Sequence, residues 1–184
     1  MNGFAIIPEC YIDTCLTETI TACSDKFNHQ KGCGTVSRVM QNKFNDCFAL
    51  GIIDKDKKEI TYLNEFDLVS SNGSLYLYKH RHQAKHHYII QISPAIEKFF
   101  LKAAEEKGID ITKNYGLPTD IKNLTKLTKQ ISDKNESAFK TFKQLFRDIS
   151  DASEFQKLAE LIQYLGENTY RVNIEELKRI VTHS

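Results

Sequence analysis

The chain has 184 residues, 41% of them hydrophobic, and 25 Lys+Arg set against 24 Asp+Glu give a formal net charge of +1. A chain of this length and composition is globular and buries a core without disulfides or a structural metal, which excludes a disordered tail or a uniformly basic nucleic-acid coat. No apolar run approaches the roughly 20 residues of a membrane span, and no basic leader precedes Pro8 and Glu9, so a cytoplasmic location and no membrane partner are expected.

Gly3-Phe4-Ala5-Ile6-Ile7 is a short apolar run that reads as a buried strand ending at Pro8-Glu9. Residues 11–23 then carry Ile12, Leu16, Thr19, Ile20 and Cys23 at helical spacing. After the glycine-rich turn Lys31-Gly32-Cys33-Gly34, Thr35 is placed to cap a helix bearing Val36, Val39 and Met40. A second apolar run, Cys47 through Ile53, is halted by Asp54-Lys55-Asp56-Lys57-Lys58. Strand, helix, helix, strand at this spacing predicts a crossover and a parallel pair. Three more strands are predicted over residues 65–69, 75–78 and 88–92, the first two separated by a turn at Ser71-Asn72-Gly73.

The pattern then turns helical. Ser93 reads as an N-cap with Pro94 at the first helical position, and Ile96, Phe99, Phe100 and Ala103 make one stripe before Gly108. Further stripes follow on Ile121, Leu124, Leu127 and Ile131; on Phe139, Phe142, Leu145, Phe146 and Ile149; and on Phe155, Leu158, Leu161, Ile162 and Leu165 in a helix capped by Ser153 and closed by Gly166. Asn173 with Glu176 opens a last helix on Ile174, Leu177 and Ile180. The expected fold class is α/β: a small, mostly parallel sheet flanked by helices over residues 1–108, with an all-helical C-terminal extension over residues 109–184 packed on it.

Cys10, Cys15, Cys23, Cys33 and Cys47 all fall in the first 47 residues. Their odd number, and the lack of any CxxC or HxxxH spacing that would enlist His29 in a zinc site, favour structural thiols.

The acids carry the chemical signal. Glu9 ends the first apolar strand, and Asp54 and Asp56 end the second. Sites in open α/β sheets form beyond the carboxyl ends of parallel strands, so neighbouring strands would bring these three carboxylates to one edge. Such a cluster repels itself unless a cation neutralises it, and an all-oxygen donor set suits Mg²⁺ or Mn²⁺ and phosphoryl transfer. The alternative is a solvated Asp-x-Asp turn and a Glu that favours a helix N-terminus. Residues 79–87 hold three cations, four of the six histidines and no acid. Lys79, Arg81 and Lys85 are candidates for phosphate contact, with Tyr76 and Tyr78 nearby for stacking; the alternative is a charged hairpin edge that discourages aggregation.

Phe4-Ala5-Ile6-Ile7-Pro8-Glu9 and its following helix, with Ala49-Leu50-Gly51-Ile52-Ile53-Asp54-Lys55-Asp56, resemble the Glu strand and Asp-x-Asp strand of the toprim domain of topoisomerases, primases and overcoming-lysogenisation-defect nucleases. Residues 90–101, with Ser93-Pro94 and Glu97, are similar to an element of small toprim-like proteins linked to phage defence and restriction. The resemblance covers about residues 3–107. It implies divalent metal at Glu9, Asp54 and Asp56 as the catalytic set, Glu97 as a supporting group or further ligand, and nucleic-acid cleavage or phosphoryl transfer. It also implies that a partner chain supplies any ATPase or sensor function. Toprim chains place Gly after the Glu, where this chain has Cys10. A catalytically inactive toprim-like binding module, its acids remnants of an inherited scaffold, is the alternative.

Overall fold

A computed structural model describes residues 5–22, 27–55 and 60–182; Asp56 and Cys23 lie outside the described residues. Five strands, β1 (Ile6–Pro8), β2 (Ala49–Asp54), β3 (Phe66–Asn72), β4 (Leu75–His80) and β5 (His87–Ile92), form one sheet in the order β1-β2-β5-β4-β3. The pairs β1–β2 and β2–β5 are parallel, whereas β5–β4 and β4–β3 are antiparallel. The sheet is therefore mixed: three parallel strands extended by an antiparallel hairpin. The hairpin follows from its turn, Gly73-Ser74, which is too short for the crossover a parallel return requires. Gly73 takes φ +56, which its missing Cβ permits.

Eight helices complete the described fold: α1 (Tyr11–Ile20), α2 (Cys33–Lys43), α3 (Ile96–Glu106), α4 (Ile111–Tyr115), α5 (Ile121–Gln130), α6 (Ser137–Asp148), α7 (Ser153–Asn168) and α8 (Ile174–Thr182). Strand residues alternate between the faces of the sheet. Ile6, Leu50, Ile52 and Ile90 join the core built with α1, α3, α6 and α7, while Ile7, Ile53 and Ile89 pack with Val36 and Met40 of α2 and with Tyr62 and Phe66. Gly51 lets α2 approach β2, because a Cβ there would stand 3.0 Å from the Met40 sulfur and 3.1 Å from a Val36 methyl.

The helical extension shares the larger core. Phe100 of α3 meets Phe142 and Phe146 of α6 edge-on at 5.6 and 5.5 Å, and Phe99 stacks on Phe155 of α7 at 5.0 Å. Burying each ring contributes about 1.5–3 kcal/mol, so this cluster holds the extension on the sheet. Among the described residues no helix is long and apolar enough to cross a membrane.

Three helix starts differ from expectation: α7 has Ala152 as its N-cap with Ser153 its first residue, and it runs past Gly166 to Asn168. α2 begins at Cys33, with Gly32 rather than Thr35 as its N-cap, and α3 begins at Ile96, with Ala95 as an N-cap that offers no side-chain acceptor. The Ser93–Pro94 peptide is cis and lies before the helix. The acceptor for the first turn of α3 comes instead from β2, as described next.

Candidate functional site

The parallel register Pro8↔Ile52 brings the carboxyl ends of β1 and β2 to one edge of the sheet. The Glu9 amide donates to the Ile52 carbonyl at 3.0 Å, and Glu9 Oε2 accepts from the Asp54 amide at 3.1 Å. The two acids expected to be neighbours are therefore neighbours. Two further carboxylates join them. α1 starts two residues after Glu9, capped by Cys10 Sγ, which accepts from the Asp13 amide at 3.5 Å. That cap places Asp13 in the first turn with only 1% of its surface exposed. On the other side, β5 pairs with β2 up to Asp54↔Ile92, and Asp54 Oδ1 accepts from the Ile96 amide at 2.9 Å, fixing the start of α3. Glu97 is the next residue, and its Oε1 accepts from the Thr128 hydroxyl of α5 at 2.5 Å.

Crowding and burial act together on these acids. Burial, then the charges of Asp13, Glu9 and Glu97, raise Asp54 to about 9, although its bond from the Ile96 amide pulls the other way. Burial also raises Asp13 to about 7, with Glu9 and Glu97 adding to the effect and the Cys10 thiol opposing it. Asp13 Oδ1 has no hydrogen-bond partner among the described residues. Asp13 and Asp54, held up first by burial and then by neighbouring acids, mark a site short of positive charge.

The four acids line a cavity of about 350 Å³. Its remaining walls come from two places. Residues 28–32 run alongside the outer edge of β1, with the amides of Asn28, Gln30 and Gly32 donating to the carbonyls of Ile6, Pro8 and Glu9, and they bring His29 and Lys31 to the cavity. The helical extension brings Thr128, Lys129 and Ser132. His29 packs against Tyr11 with ring centroids 3.9 Å apart and planes tilted by 35°, and its Nδ1 lies 3.2 Å from the Thr14 hydroxyl. That hydroxyl donates to the Cys10 carbonyl at 2.8 Å, so Nδ1 is the donor toward Thr14. Cys10 itself sits in extended backbone with φ −144, a conformation open to any residue, so the turn does not demand the glycine that toprim chains carry. Burial first, then the Asp13 carboxylate, raise its thiol well above the ordinary range and keep it protonated.

As the side chains stand, among the described residues no three His, Cys, Asp or Glu groups are disposed to hold a metal ion. Glu9, Asp54 and Glu97 instead accept hydrogen bonds from protein donors. Asp56, the remaining member of the expected set, lies outside the described residues.

The basic segment lies elsewhere. Lys79 is in register with Tyr88 and Asp67, whereas the acid end of β5 is in register with Leu75, so Lys79 stands four residues, about 13 Å, down the strand. Lys79, Arg81 and Lys85 thus belong to the opposite end of the sheet from Asp54, and any phosphate contact they make is on a separate surface. The Arg81 guanidinium is engaged by Asp67 at 2.9 Å and by the Asn64 carbonyl at 2.5 Å. His80 and His87 are buried: His80 Nε2 lies 3.0 Å from Glu65 Oε2, and both ring nitrogens of His87 are hydrogen-bonded. Among the described cysteines none forms a disulfide, and Cys15 is buried in the core.

Asp13, Lys31, Thr128 and Lys129 are cavity residues that the sequence reading did not select. None of the four carries a spacing that marks it: Asp13 is a single acid in the first turn of an amphipathic helix, and the others stand far from the acid strands in sequence or in an ordinary turn. No protein-family model, curated protein or solved structure matches the chain.

Proposed function

We propose that this chain is a toprim-like, Mg²⁺- or Mn²⁺-dependent phosphoryl-transfer protein acting on nucleic acid, most simply a nuclease. The observation that carries the reading is the convergence of Glu9 and Asp54 from adjacent parallel strands, joined by Asp13 and Glu97, in one cavity. The donor set is all carboxylate, the chemistry that hard divalent cations select, and Asp13 Oδ1 is a buried oxygen without a hydrogen-bond partner among the described residues. Glu9, Asp13 and Asp54 would hold the ion, with Asp56 added from the sequence and Glu97 steadied by Thr128 at the rim. A bound ion would supply Lewis acidity to a phosphoryl oxygen. Glu9, at the turn between β1 and α1, would be either a ligand of that ion or the base that activates an attacking water.

One observation favours the second reading, a catalytically inactive binding module: three of the acids already accept hydrogen bonds from protein donors, and no ready-made ion cage stands among the described residues. A single experiment separates the two. The protein is melted with and without Mn²⁺, and single- and double-stranded DNA and RNA are incubated with it in Mg²⁺, Mn²⁺ or chelator. The enzyme reading expects metal to raise the melting temperature and metal-dependent cleavage that Asp54→Asn abolishes. No metal stabilisation and no cleavage would leave the binding-module reading.

A further inference from the structure

Resting on that reading of the cavity, we infer that Lys31 and Lys129 form its phosphate seat, and that the helical extension restricts the occupant to a single unpaired nucleotide unit, as in single-stranded nucleic acid. The two lysines flank the acids. Lys31 precedes Gly32, whose amide bonds to the Glu9 carbonyl on the β1 side, and Lys129 follows Thr128, whose hydroxyl bonds to Glu97 on the α3 side. Both are exposed at the cavity and, among the described residues, neither is held in an ion pair. Arg81, by contrast, is already committed to Asp67. An unpaired cation on each side of a row of acids is the arrangement that receives a phosphate group bridging the two charges. Asp13 Oδ1, buried in the same cavity, has no hydrogen-bond partner among the described residues, a further sign that the cavity lacks a donor or cation.

The cavity, about 350 Å³, is at the small end of ligand pockets, with room on the order of one nucleotide unit and not of a base pair. The wall that sets this limit is fastened at two points, by Thr128 on Glu97 and by Lys134 on Glu18 at 2.5 Å, with a Glu18 side chain only 2% exposed. Between these latches Ile131 and Ser132 line the cavity, so the extension narrows the approach to the acids. The Tyr11–His29 pair supplies an aromatic wall against which one base can lie, a contact that tolerates any base.

The test uses the full chain and a fluorescent, cleavage-resistant phosphorothioate oligonucleotide in Mg²⁺, single-stranded or as the duplex of the same sequence. The expected result is single-strand binding at least roughly ten-fold tighter than duplex binding. Lys31→Ala and Lys129→Ala should each reduce the slope of log K against log salt by about 0.7, the increment for one single-strand phosphate contact. The triple change of Lys79, Arg81 and Lys85 to Ala should leave single-strand binding unchanged. Equal affinity for duplex, no binding, or a loss confined to the triple variant would overturn the inference. Cleavage is read separately with ordinary oligonucleotides. Metal-dependent cleavage without single-strand selectivity overturns this inference alone, whereas selective binding through Lys31 and Lys129 without cleavage supports it and removes the proposed activity.

Discussion

The carboxylate of Asp54, the last residue of β2, caps α3: its Oδ1 accepts from the Ile96 amide at 2.9 Å, where the N-cap residue Ala95 has no side-chain acceptor to offer. The same side chain is thus a member of the acid cluster and a structural link between strand and helix. Two substitutions separate these roles. Asp54→Asn keeps an amide oxygen for the Ile96 amide and removes the charge, so the metal-free protein at pH 8 should be as stable as wild type or more so. Asp54→Ala removes the acceptor as well and should be less stable than the Asn variant by about 1 kcal/mol, the cost of losing a helix cap. Chemical denaturation of the three proteins in chelator measures this. Equal stability of the Ala and Asn variants would show that the bond to Ile96 contributes nothing.

The raised carboxyl groups predict a pH dependence opposite to ordinary acid denaturation. Asp54 and Asp13 hold their protons to about 9 and about 7 in the folded chain, well above the usual carboxylate range of the unfolded one. Their contribution to stability is complete below the unfolded value and is lost as pH rises through the folded values. Between pH 7 and 9, where histidines are neutral in both states, the melting temperature of metal-free wild type should fall, and Asp54→Asn should flatten that fall. Mn²⁺ should restore wild type at pH 8 and leave the Asn variant nearly unmoved. Metal affinity should also rise over this range, because the acids must give up protons to bind. Parallel melting curves for wild type and variant across pH 7–9 would refute the charge-crowding argument.

The central pairing was legible in the sequence because two short apolar runs each stopped at an acid, and a parallel register brings their carboxyl ends to one edge. The strands near residues 65–69, 75–78 and 88–92 were legible from composition, but their direction was not. Antiparallel pairing of β4 with β5 depends on where the 81–86 connection returns, which alternation of side chains does not encode. For the same reason the basic run at Lys79, Arg81 and Lys85 could not be assigned to one end of the sheet. Asp13 was hidden because it sits among the apolar positions of an amphipathic helix. Lys129 and Thr128 lie more than seventy residues beyond Asp54 in sequence and reach the cavity only through tertiary packing of the extension.

Thr128 and Glu97 make a second separable link. Both are buried, and the bond joins the helical extension to the acid edge of the sheet. Thr128→Val nearly keeps the volume and removes the donor, leaving Glu97 Oε1 without this bond away from water. Hydrogen bonds to charged groups contribute about 1.5–3 kcal/mol, and a loss of that size is expected in urea denaturation. At roughly 2–4 °C per kcal/mol for a chain of this length, the melting temperature should drop by several degrees. Thr128→Ser, which retains the hydroxyl, should recover most of it. A Val variant as stable as wild type would mean that the extension is held by the phenylalanine cluster alone.

His87 predicts a loss of stability on the acid side. Its ring is fully buried, with Nε2 2.8 Å from the Phe44 carbonyl and Nδ1 2.6 Å from the Tyr62 hydroxyl. Only Nε2 can donate to a carbonyl, so Nδ1 accepts from Tyr62 and the ring is neutral. Burial, the largest influence, lowers its pKa below the ordinary 6.5, and Lys85 and His80 push the same way. His80 is also lowered by burial, against the opposing pull of Glu65. A base whose folded pKa is depressed contributes stability that is complete above the unfolded value and is lost as pH falls below about 6.5 toward the folded value. The acid cluster works in the opposite direction over the same range, and Asp13 still titrates there when Asp54 is replaced, so the measurement is a difference on the Asp54→Asn background. Adding His87→Gln, which replaces the ring with an amide that does not titrate, should lower the plateau and make the melting temperature fall less, or rise more, from pH 6.5 to 5. An unchanged slope would show that His87 protonates in place and that its two hydrogen bonds do not hold it neutral.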